Sequence, residues 1–213
     1  MNESIPETCQ VPANDSLFQR YHDEEWGVPT INDQAIFEKV CLEGFQAGLN
    51  WRTVLHKRPA LRQSFDDFLP ERISRYNDAD VRRLMNDDRI IRNRRKILSA
   101  INNARHFSSL QREFGSLANF FWSFEPASNS RPTRVTRRWL RENPFTPEST
   151  ELSKALKKRG WSYVGPTTMY ALMQALGLVN DHVDDCPRHA SIEILRQKTI
   201  RPEQASGGPI GAC

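Results

Sequence analysis

Four side chains that bind soft metal ions lie in two groups at opposite ends of the chain. Cys9 and His22 are near the start of the 213-residue sequence, and His182 and Cys186 are near its end. Two thiolates and two imidazoles can complete a tetrahedral site for zinc, an ion without redox chemistry. The i, i+4 spacing of His182 and Cys186 places them on one helix face. The alternative is that Cys9 belongs to a tail, His22 is a hydrogen-bonded polar group, and the other two only cap a helix.

One carboxylate falls on an apolar helix face. Asn32 or Asp33 can cap a helix, whose apolar face consists of Ile36, Phe37, Val40, Cys41, Gly44 and Ala47. At about 100° per residue, Glu43 lies within about 20° of Ile36. A buried, unpaired carboxylate is costly, so an inward Glu43 would have a partner or a function. The alternative, which periodicity alone favours, is that Glu43 lies at the edge of this face and reaches solvent.

Large aromatic residues surround Glu43 in the sequence. They are Phe18, Tyr21, Trp26, Phe45 and Trp51. Flat rings together with one acceptor carboxylate can stack a nucleobase and bind its exocyclic amine. Aromatic residues at helical spacing more often form a hydrophobic core, so the pattern favours a base pocket only in combination with Glu43 and a basic remainder of the chain.

Helical periodicity dominates the chain, and there are no alternating strand patterns. The sequence therefore predicts an all-α protein with one domain over residues 1–213, flanked by flexible tails at 1–8 and about 201–213. We expect the helix from residue 33 to continue as a mostly buried segment through Val54 and Leu55. Further helices are predicted at 72–76, 79–86, 93–107, 116–122, 134–141, 150–159, 167–178 and 187–196.

The charge distribution favours a polyanionic partner. The net charge is +4, but the first 50 residues hold nine acidic and two basic side chains, so the remainder carries +11. Solvated helix faces are the alternative, while clustering of this kind suits DNA. Four cysteines without a disulfide pattern, no apolar run of membrane length and no signal peptide predict a cytoplasmic protein without a membrane partner. The basic side chains form two groups, Arg82, Arg83, Arg89, Arg92, Arg94, Arg95 and Lys96, then Arg131, Arg134, Arg137, Arg138, Arg141, Lys154, Lys157, Lys158 and Arg159.

A helix, a short turn and a second helix follow the second basic group. Gly160 can end the first helix in a left-handed conformation, and Gly165, Pro166 and Thr167 can begin the second. Free N–H groups and the helix dipole would bind a DNA phosphate there without reading sequence. We expect Gly160, Ser162, Tyr163, Gly165 and Thr167 to contact phosphate, although any helical hairpin can have a glycine in its turn.

Five ordered blocks resemble one known family. They are YHDEEWGVP (21–29), CLEGFQAGLNWRTVLHKR (41–58), IIRNRRKI (90–97), KALKKRGWSYVGPT (154–167) and GLVNDHV (177–183). Together they are similar to the DNA-3-methyladenine glycosylase I family over about residues 9–186. The resemblance implies a helix-hairpin-helix DNA glycosylase fold. It also implies one structural zinc ion per chain, held by Cys9, His22, His182 and Cys186.

The resemblance also assigns roles around the flipped base. Glu43 would accept a hydrogen bond from the adenine amino edge, Tyr21 would add a polar contact and Trp51 would stack on the ring. Trp26 and Phe18 would complete the pocket. The chain departs from the family pattern at Val11 and at Phe18, where an aromatic residue and a tyrosine are usual. Loss of a ring weakens stacking by about 1 to 3 kcal/mol.

The function implied is base excision repair by a monomeric enzyme acting on alkylated double-stranded DNA. The enzyme would hydrolyse the N-glycosidic bond of 3-methyladenine after base flipping, with Glu43 as the catalytic residue. No lysine lies between Gly160 and Gly165, which predicts a monofunctional enzyme without lyase activity. Asp181, Asp184 and Asp185 could also be catalytic acids, but they rank below Glu43 and are interpreted as caps or partners of the metal-binding histidine. The alternatives are a glycosylase for another damaged base and a catalytically silent DNA-binding hairpin protein.

Overall fold

The described part of the chain is entirely helical. The computed structural model describes residues 9, 11, 12 and 14–202, and within them it contains no β-strand. This confirms the all-α prediction. None of these helices is both long and apolar enough to span a membrane. The helices are α1 (Ser16–Glu24), α2 (Asp33–Gln46), α3 (Trp51–Ser64), α4 (Pro70–Ile73), α5 (Asp78–Asn86), α6 (Arg94–Phe114), α7 (Leu117–Trp122), α8 (Arg137–Glu142), α9 (Pro147–Lys158), α10 (Pro166–Ala175) and α11 (Arg188–Lys198).

Helix α2 lies at the centre of the fold. It contacts α3, α6, α7 and α10, and residues 36–46 are all buried. Asn32 caps its N-terminus by accepting the backbone N–H of Ala35 at 2.9 Å. At the other end, the ammonium group of Lys96 donates to the carbonyls of Phe45 and Ala47 at 2.7 and 2.5 Å. A cation at this position satisfies the free carbonyls at a helix C-terminus. Both ends of α2 are therefore fixed.

The predicted continuous helix from residue 33 to residue 55 is wrong. The chain leaves the helix after Gln46 and begins α3 at Trp51. Gly48 has a φ of +76°, a left-handed conformation that glycine adopts without strain. Asn50 then caps α3 by accepting the backbone N–H of Thr53 at 2.8 Å. The break turns Trp51 back beside α1, where its ring meets Tyr21.

The remaining predicted helices are present, most of them with shifted ends, and α1 is an additional helix. Asp15 caps α1 by accepting the backbone N–H of Phe18 at 3.0 Å. The same buried carboxylate accepts hydrogen bonds from Arg52 and His56 of α3 at 2.7 and 2.9 Å. These bonds hold the pKa of Asp15 at about 2 and fix α1 against α3.

The predicted tails lie outside the described residues, apart from Arg201 and Pro202. The guanidinium group of Arg201 pairs with Glu125 at 2.7 Å. A small second cluster of buried side chains packs beside the main core, and it consists of Val135, Leu140, Val183 and Cys186.

Candidate functional site

The four predicted metal ligands converge. One ligand atom from each of Cys9, His22, His182 and Cys186 lies within 4.8 Å of every other. The His182 Nδ1 atom is 3.6 Å from Cys9 Sγ and 3.5 Å from Cys186 Sγ, and His22 Nε2 is 3.6 Å from Cys186 Sγ. A tetrahedral zinc ion separates neighbouring sulfur and nitrogen ligands by about 3.6 Å, given its bond lengths of about 2.3 and 2.1 Å. The donor set and spacing fit zinc.

The second nitrogen of each histidine is also engaged. The Nδ1 atom of His22 donates to the carboxylate of Asp23 at 2.8 Å, and Nε2 of His182 donates to the carbonyl of Trp26 at 3.0 Å. Such bonds fix the tautomer and leave the other nitrogen free for a metal. The partners are therefore Asp23 and a backbone carbonyl, so the interpretation of Asp181, Asp184 and Asp185 as partners of the metal-binding histidine is wrong.

Those three aspartates have other roles. Asp181 accepts hydrogen bonds from Tyr170 and Gln174. Asp184 accepts the backbone N–H of Val135 at 2.8 Å, and Asp185 pairs with an arginine of α8 at 3.3 Å.

The C-terminal pair of ligands lies on the turn between α10 and α11. His182 and Cys186 are not helical, so their predicted common helix face is wrong. The turn is held against the N-terminal segment by a close backbone approach at Gly177, whose φ is +75°. A Cβ atom there would lie 2.6 Å from the carbonyl oxygen of Gly27 and 2.7 Å from the nitrogen of Pro29. Only glycine fits this approach, which brings both ends of the chain to the metal centre.

A narrow pocket adjoins the candidate metal site. Cys9, His22 and Trp26 line it, so two of the candidate metal ligands form part of its wall. The other lining residues are Phe18, Tyr21, Glu43, Gln46, Trp51, Ala171 and Gln174.

Helix α2 buries two glutamates and one lysine, and Glu43 is the one of these three without an ion pair. Glu38 pairs with Arg58 and Arg62 of α3 at 2.8 and 2.6 Å. Lys39 pairs with Glu25 at 2.9 Å. The Glu43 side chain is 5% exposed and forms no hydrogen bond or salt bridge with any residue that the structure describes.

These environments shift the pKa values of Glu38 and Glu43 in opposite directions. Burial acts to raise the pKa of Glu38, but its two arginine partners lower it overall. Burial raises the pKa of Glu43 from 4.5 to about 8, and only the charge of Lys39 opposes the change. An unpaired buried acid in a cleft is typical of a functional group.

Aromatic rings surround this carboxyl group on the pocket side. The rings of Tyr21 and Trp51 have centroids 5.1 Å apart and are tilted by 43°. The Trp26 ring lies edge-on to the His182 ring with centroids 4.6 Å apart. Burial, and then the nearby Glu43, raise the pKa of Tyr21 well above its ordinary value of 10, so its hydroxyl stays protonated. The pocket therefore combines flat aromatic walls with the Tyr21 hydroxyl group and the Glu43 carboxyl group, beside the amides of Gln46 and Gln174.

The hairpin between α9 and α10 is pinned to α6. Asn103 accepts the backbone N–H of Ser162 at 2.9 Å and donates to its carbonyl at 3.0 Å. The Ser162 hydroxyl donates to Ser99 at 2.7 Å. Both donors of Ser162 are thus committed to holding the turn, and the predicted phosphate contact there has no free donor.

The other hairpin residues are differently placed. Gly160 and Tyr163 have positive φ values of 82° and 56°, and they shape the turn. Gly165 is the N-cap of α10 and, like Thr167, is half-buried. No side chain caps this helix N-terminus.

A family model described as methyladenine glycosylase matches residues 11–189. The chain belongs to the methyladenine glycosylase family.

Curated relatives and solved structures agree with this assignment. DNA-3-methyladenine glycosylase 1 of Escherichia coli is 45% identical over 181 residues, which are 84% of this chain and 95% of that protein. DNA-3-methyladenine glycosylase of Haemophilus influenzae is 42% identical and covers 84% and 96% of the two chains. A crystal structure of 3-methyladenine DNA glycosylase I superimposes with a TM-score of 0.78 at 44% identity, over 85% of this chain and 99% of that one.

The structure brings together the nine residues that the family resemblance assigns to pocket and metal. Sequence reasoning missed Gln46, Ala171 and Gln174, which line the same pocket. Gln46 lies one helical turn after Glu43 and could have been found from this spacing. Gln174 had no such signal because α10 reaches the pocket only through tertiary packing.

Some of the predicted basic side chains are exposed, and others form bonds within the protein. Lys96 was predicted as part of a basic surface, but it is buried and serves the end of α2. Arg92, Arg94, Arg95 and the hairpin neighbours Lys157 and Lys158 are exposed. They provide positive charge on the surface.

Proposed function

We propose that this protein removes 3-methyladenine from alkylated double-stranded DNA by hydrolysing the N-glycosidic bond after the base has been flipped out of the duplex. The observation that carries the proposal is the buried, unpaired carboxyl group of Glu43 in an aromatic-lined pocket. Relatives that are 42 and 45% identical are named for this activity. The activity is the first step of base excision repair.

The chemistry of the lesion explains why this pocket is sufficient. Methylation at N3 gives adenine a positive charge, which weakens its bond to the sugar and makes the base a good leaving group. A methylated base also stacks and pairs poorly, so that flipping it costs less than flipping a normal base. The enzyme must therefore mainly capture and hold the flipped base.

Glu43 is the catalytic residue in this proposal. Its carboxylate accepts a hydrogen bond from the amino group of the base and balances the positive charge. A cationic base in turn favours the ionised form of Glu43, whose pKa burial has raised. Tyr21 adds a polar contact, Trp51 stacks on the base, and Trp26 and Phe18 close the walls.

We further propose that the metal is one structural zinc ion. The 3.5 to 3.6 Å separations between sulfur and nitrogen ligands support this assignment. Zinc bound by two thiolates and two imidazoles has no open position, so the ion would hold the chain ends together. His22 and Trp26 also line the pocket, and the metal centre would therefore fix one of its walls.

DNA would be held through the hairpin and the exposed basic side chains. The backbone N–H groups of Gly165 and Thr167 at the start of α10 suit a phosphate, and Gly160 and Tyr163 shape the turn that presents them. Ser162 acts indirectly, through its bonds to α6. The turn from Gly160 to Gly165 contains no lysine to form a Schiff base, which supports a monofunctional enzyme.

In this function, residues 1–213 form one glycosylase domain that acts as a monomer in the cytoplasm, where it meets the DNA. The test of this function is incubation of the purified protein with methylated duplex DNA and chromatographic identification of every base released. We expect free 3-methyladenine and no covalent adduct after borohydride treatment. Release of a different damaged base would assign another substrate. Binding of the duplex without any release would indicate a DNA-binding protein, and a trapped adduct would refute monofunctional chemistry.

A further inference from the structure

A cluster of buried polar groups lies behind the base pocket. Its centre is Asp181, which is 1% exposed. The carboxylate of Asp181 accepts hydrogen bonds from the hydroxyl of Tyr170 at 2.6 Å and from Nε2 of Gln174 at 2.8 Å. Arg131, on the segment before α8, pairs with its other oxygen. Gln174 is the member of this cluster that also lines the pocket.

These bonds fix the orientation of the Gln174 amide. An ionised carboxylate only accepts hydrogen bonds, so the atom of Gln174 that faces Asp181 must be the NH₂ group. A flipped amide would set its oxygen against the carboxylate and leave an acceptor of Asp181 without a donor. The carbonyl oxygen of Gln174 is therefore directed away from Asp181.

That oxygen belongs to a residue that lines the pocket. It forms no hydrogen bond with any residue between 14 and 202, and it is not among the fully enclosed polar atoms that lack a partner. Gln174 as a whole is only 3% exposed. Gln174 lines the pocket, where a bound base would meet it.

We propose that Gln174 is a second acceptor for the amino group of the flipped base and makes the pocket select amino purines over oxo purines. This inference rests on the proposed function. An adenine amino group has two N–H bonds, one for Glu43 and one for Gln174. Guanine carries an oxygen acceptor at the same ring position, and two acceptors facing it would have no donor between them. Asp181 is a positioning residue because it holds the amide in the selective orientation.

The test compares the release of 3-methyladenine and 3-methylguanine from the same methylated duplex. Gln174→Met keeps the length of the side chain and removes the acceptor. We expect kcat/KM for 3-methyladenine to fall by about 3- to 10-fold, the effect of one neutral hydrogen bond, with no fall for 3-methylguanine. Gln197→Met, an exposed position on α11, is the control for the same change and should leave both values unaltered.

A second variant tests the positioning role. In the wild-type background, Asp181→Asn should reduce the preference for 3-methyladenine over 3-methylguanine. In the Gln174→Met background it should have no further effect on this preference, because Asp181 acts through the Gln174 amide. An equal fall for both bases in Gln174→Met, or no change in either, would overturn the inference while the proposed function stands. If the wild-type protein released no 3-methyladenine, both would be overturned. Thermal unfolding of each variant identifies losses due to misfolding.

Discussion

Replacing Glu43 by glutamine should make the folded protein more stable while it removes the carboxylate that we propose captures the base. In the unfolded chain Glu43 ionises near its ordinary pKa of 4.5, whereas burial raises the pKa to about 8 in the folded protein. Ionisation therefore favours the unfolded chain. Between these two values the wild-type protein loses stability as pH rises, and a glutamine at this position does not.

The size of the effect follows from the two pKa values. Each unit of difference is worth about 1.4 kcal/mol, so that the full penalty above pH 8 is about 5 kcal/mol. At pH 7 the destabilisation by Glu43 has not reached its full value, and Glu43→Gln should raise the free energy of unfolding by about 3 kcal/mol. For a chain of this length that corresponds to a rise in Tm of about 6 to 12 °C. Near pH 4.5 the difference should almost vanish.

Urea unfolding followed by circular dichroism between pH 4.5 and 8 measures these differences. Glu38→Gln is the matched control, since Glu38 lies on the same helix and is equally buried but pairs with Arg58 and Arg62. Those partners lower the pKa of Glu38, so its contribution to stability is present at neutral pH and is lost as pH falls. Its replacement should destabilise the protein at pH 7. A Glu43→Gln variant less stable than the wild type at pH 7, or a difference independent of pH, would show that ionisation of Glu43 does not destabilise the folded protein.

Three further predictions concern the metal, the backbone and the hairpin. Cys186→Ala should abolish stoichiometric zinc in elemental analysis and lower stability by about 4 kcal/mol, the linkage free energy of an ion at 1,000 times its Kd; an unchanged zinc content would contradict the ligand assignment. Gly177→Ala should destabilise by about 3 kcal/mol or more in urea unfolding, whereas Gly48→Ala, also at positive φ but with nothing within 4 Å of the added Cβ, should cost about 1 kcal/mol; equal losses would exclude the close approach at Gly177 as the cause. Asn103→Leu, which removes both bonds to Ser162, should raise the Kd for undamaged duplex by about 5- to 10-fold in fluorescence anisotropy; an unchanged Kd would rule out the hairpin as a contact.

Local sequence signals predict where the helices lie better than they predict which side chains the fold buries or brings together. Asn50 and Gly48 together carry the signal for a break between α2 and α3, a left-handed glycine followed by a cap, yet the apolar run through Val54 and Leu55 suggested one helix. Trp51 is a candidate for the pocket from its aromatic ring near Glu43 in the sequence, but its stacking role comes only from the family resemblance. Its position beside Tyr21 depends on that break.

The burial of Glu43 shows the limit of periodicity. On a helix with one apolar face, a residue at the edge of that face lies near solvent. Periodicity alone therefore favours the alternative in which Glu43 reaches solvent. Helix α2 is instead enclosed on nearly all sides, and its charged residues Glu38 and Lys39 are buried through ion pairs with partners far along the chain. A local sequence pattern does not predict such pairing. For the same reason Gln174 could not be predicted as a pocket residue, since it reaches the pocket only because α10 packs on α2.

The most direct test of the account is the pH dependence of kcat/KM for release of 3-methyladenine from methylated duplex DNA. This quantity reports the ionisation of the free enzyme, in which Glu43 has a pKa of about 8. If the carboxylate of Glu43 captures the base, kcat/KM should rise about tenfold per pH unit up to pH 7 and level off above pH 8. Glu43→Gln should have little activity and no such rise. A wild-type profile that is flat over this range, or the same rise in Glu43→Gln, would show that the Glu43 carboxylate does not capture the base.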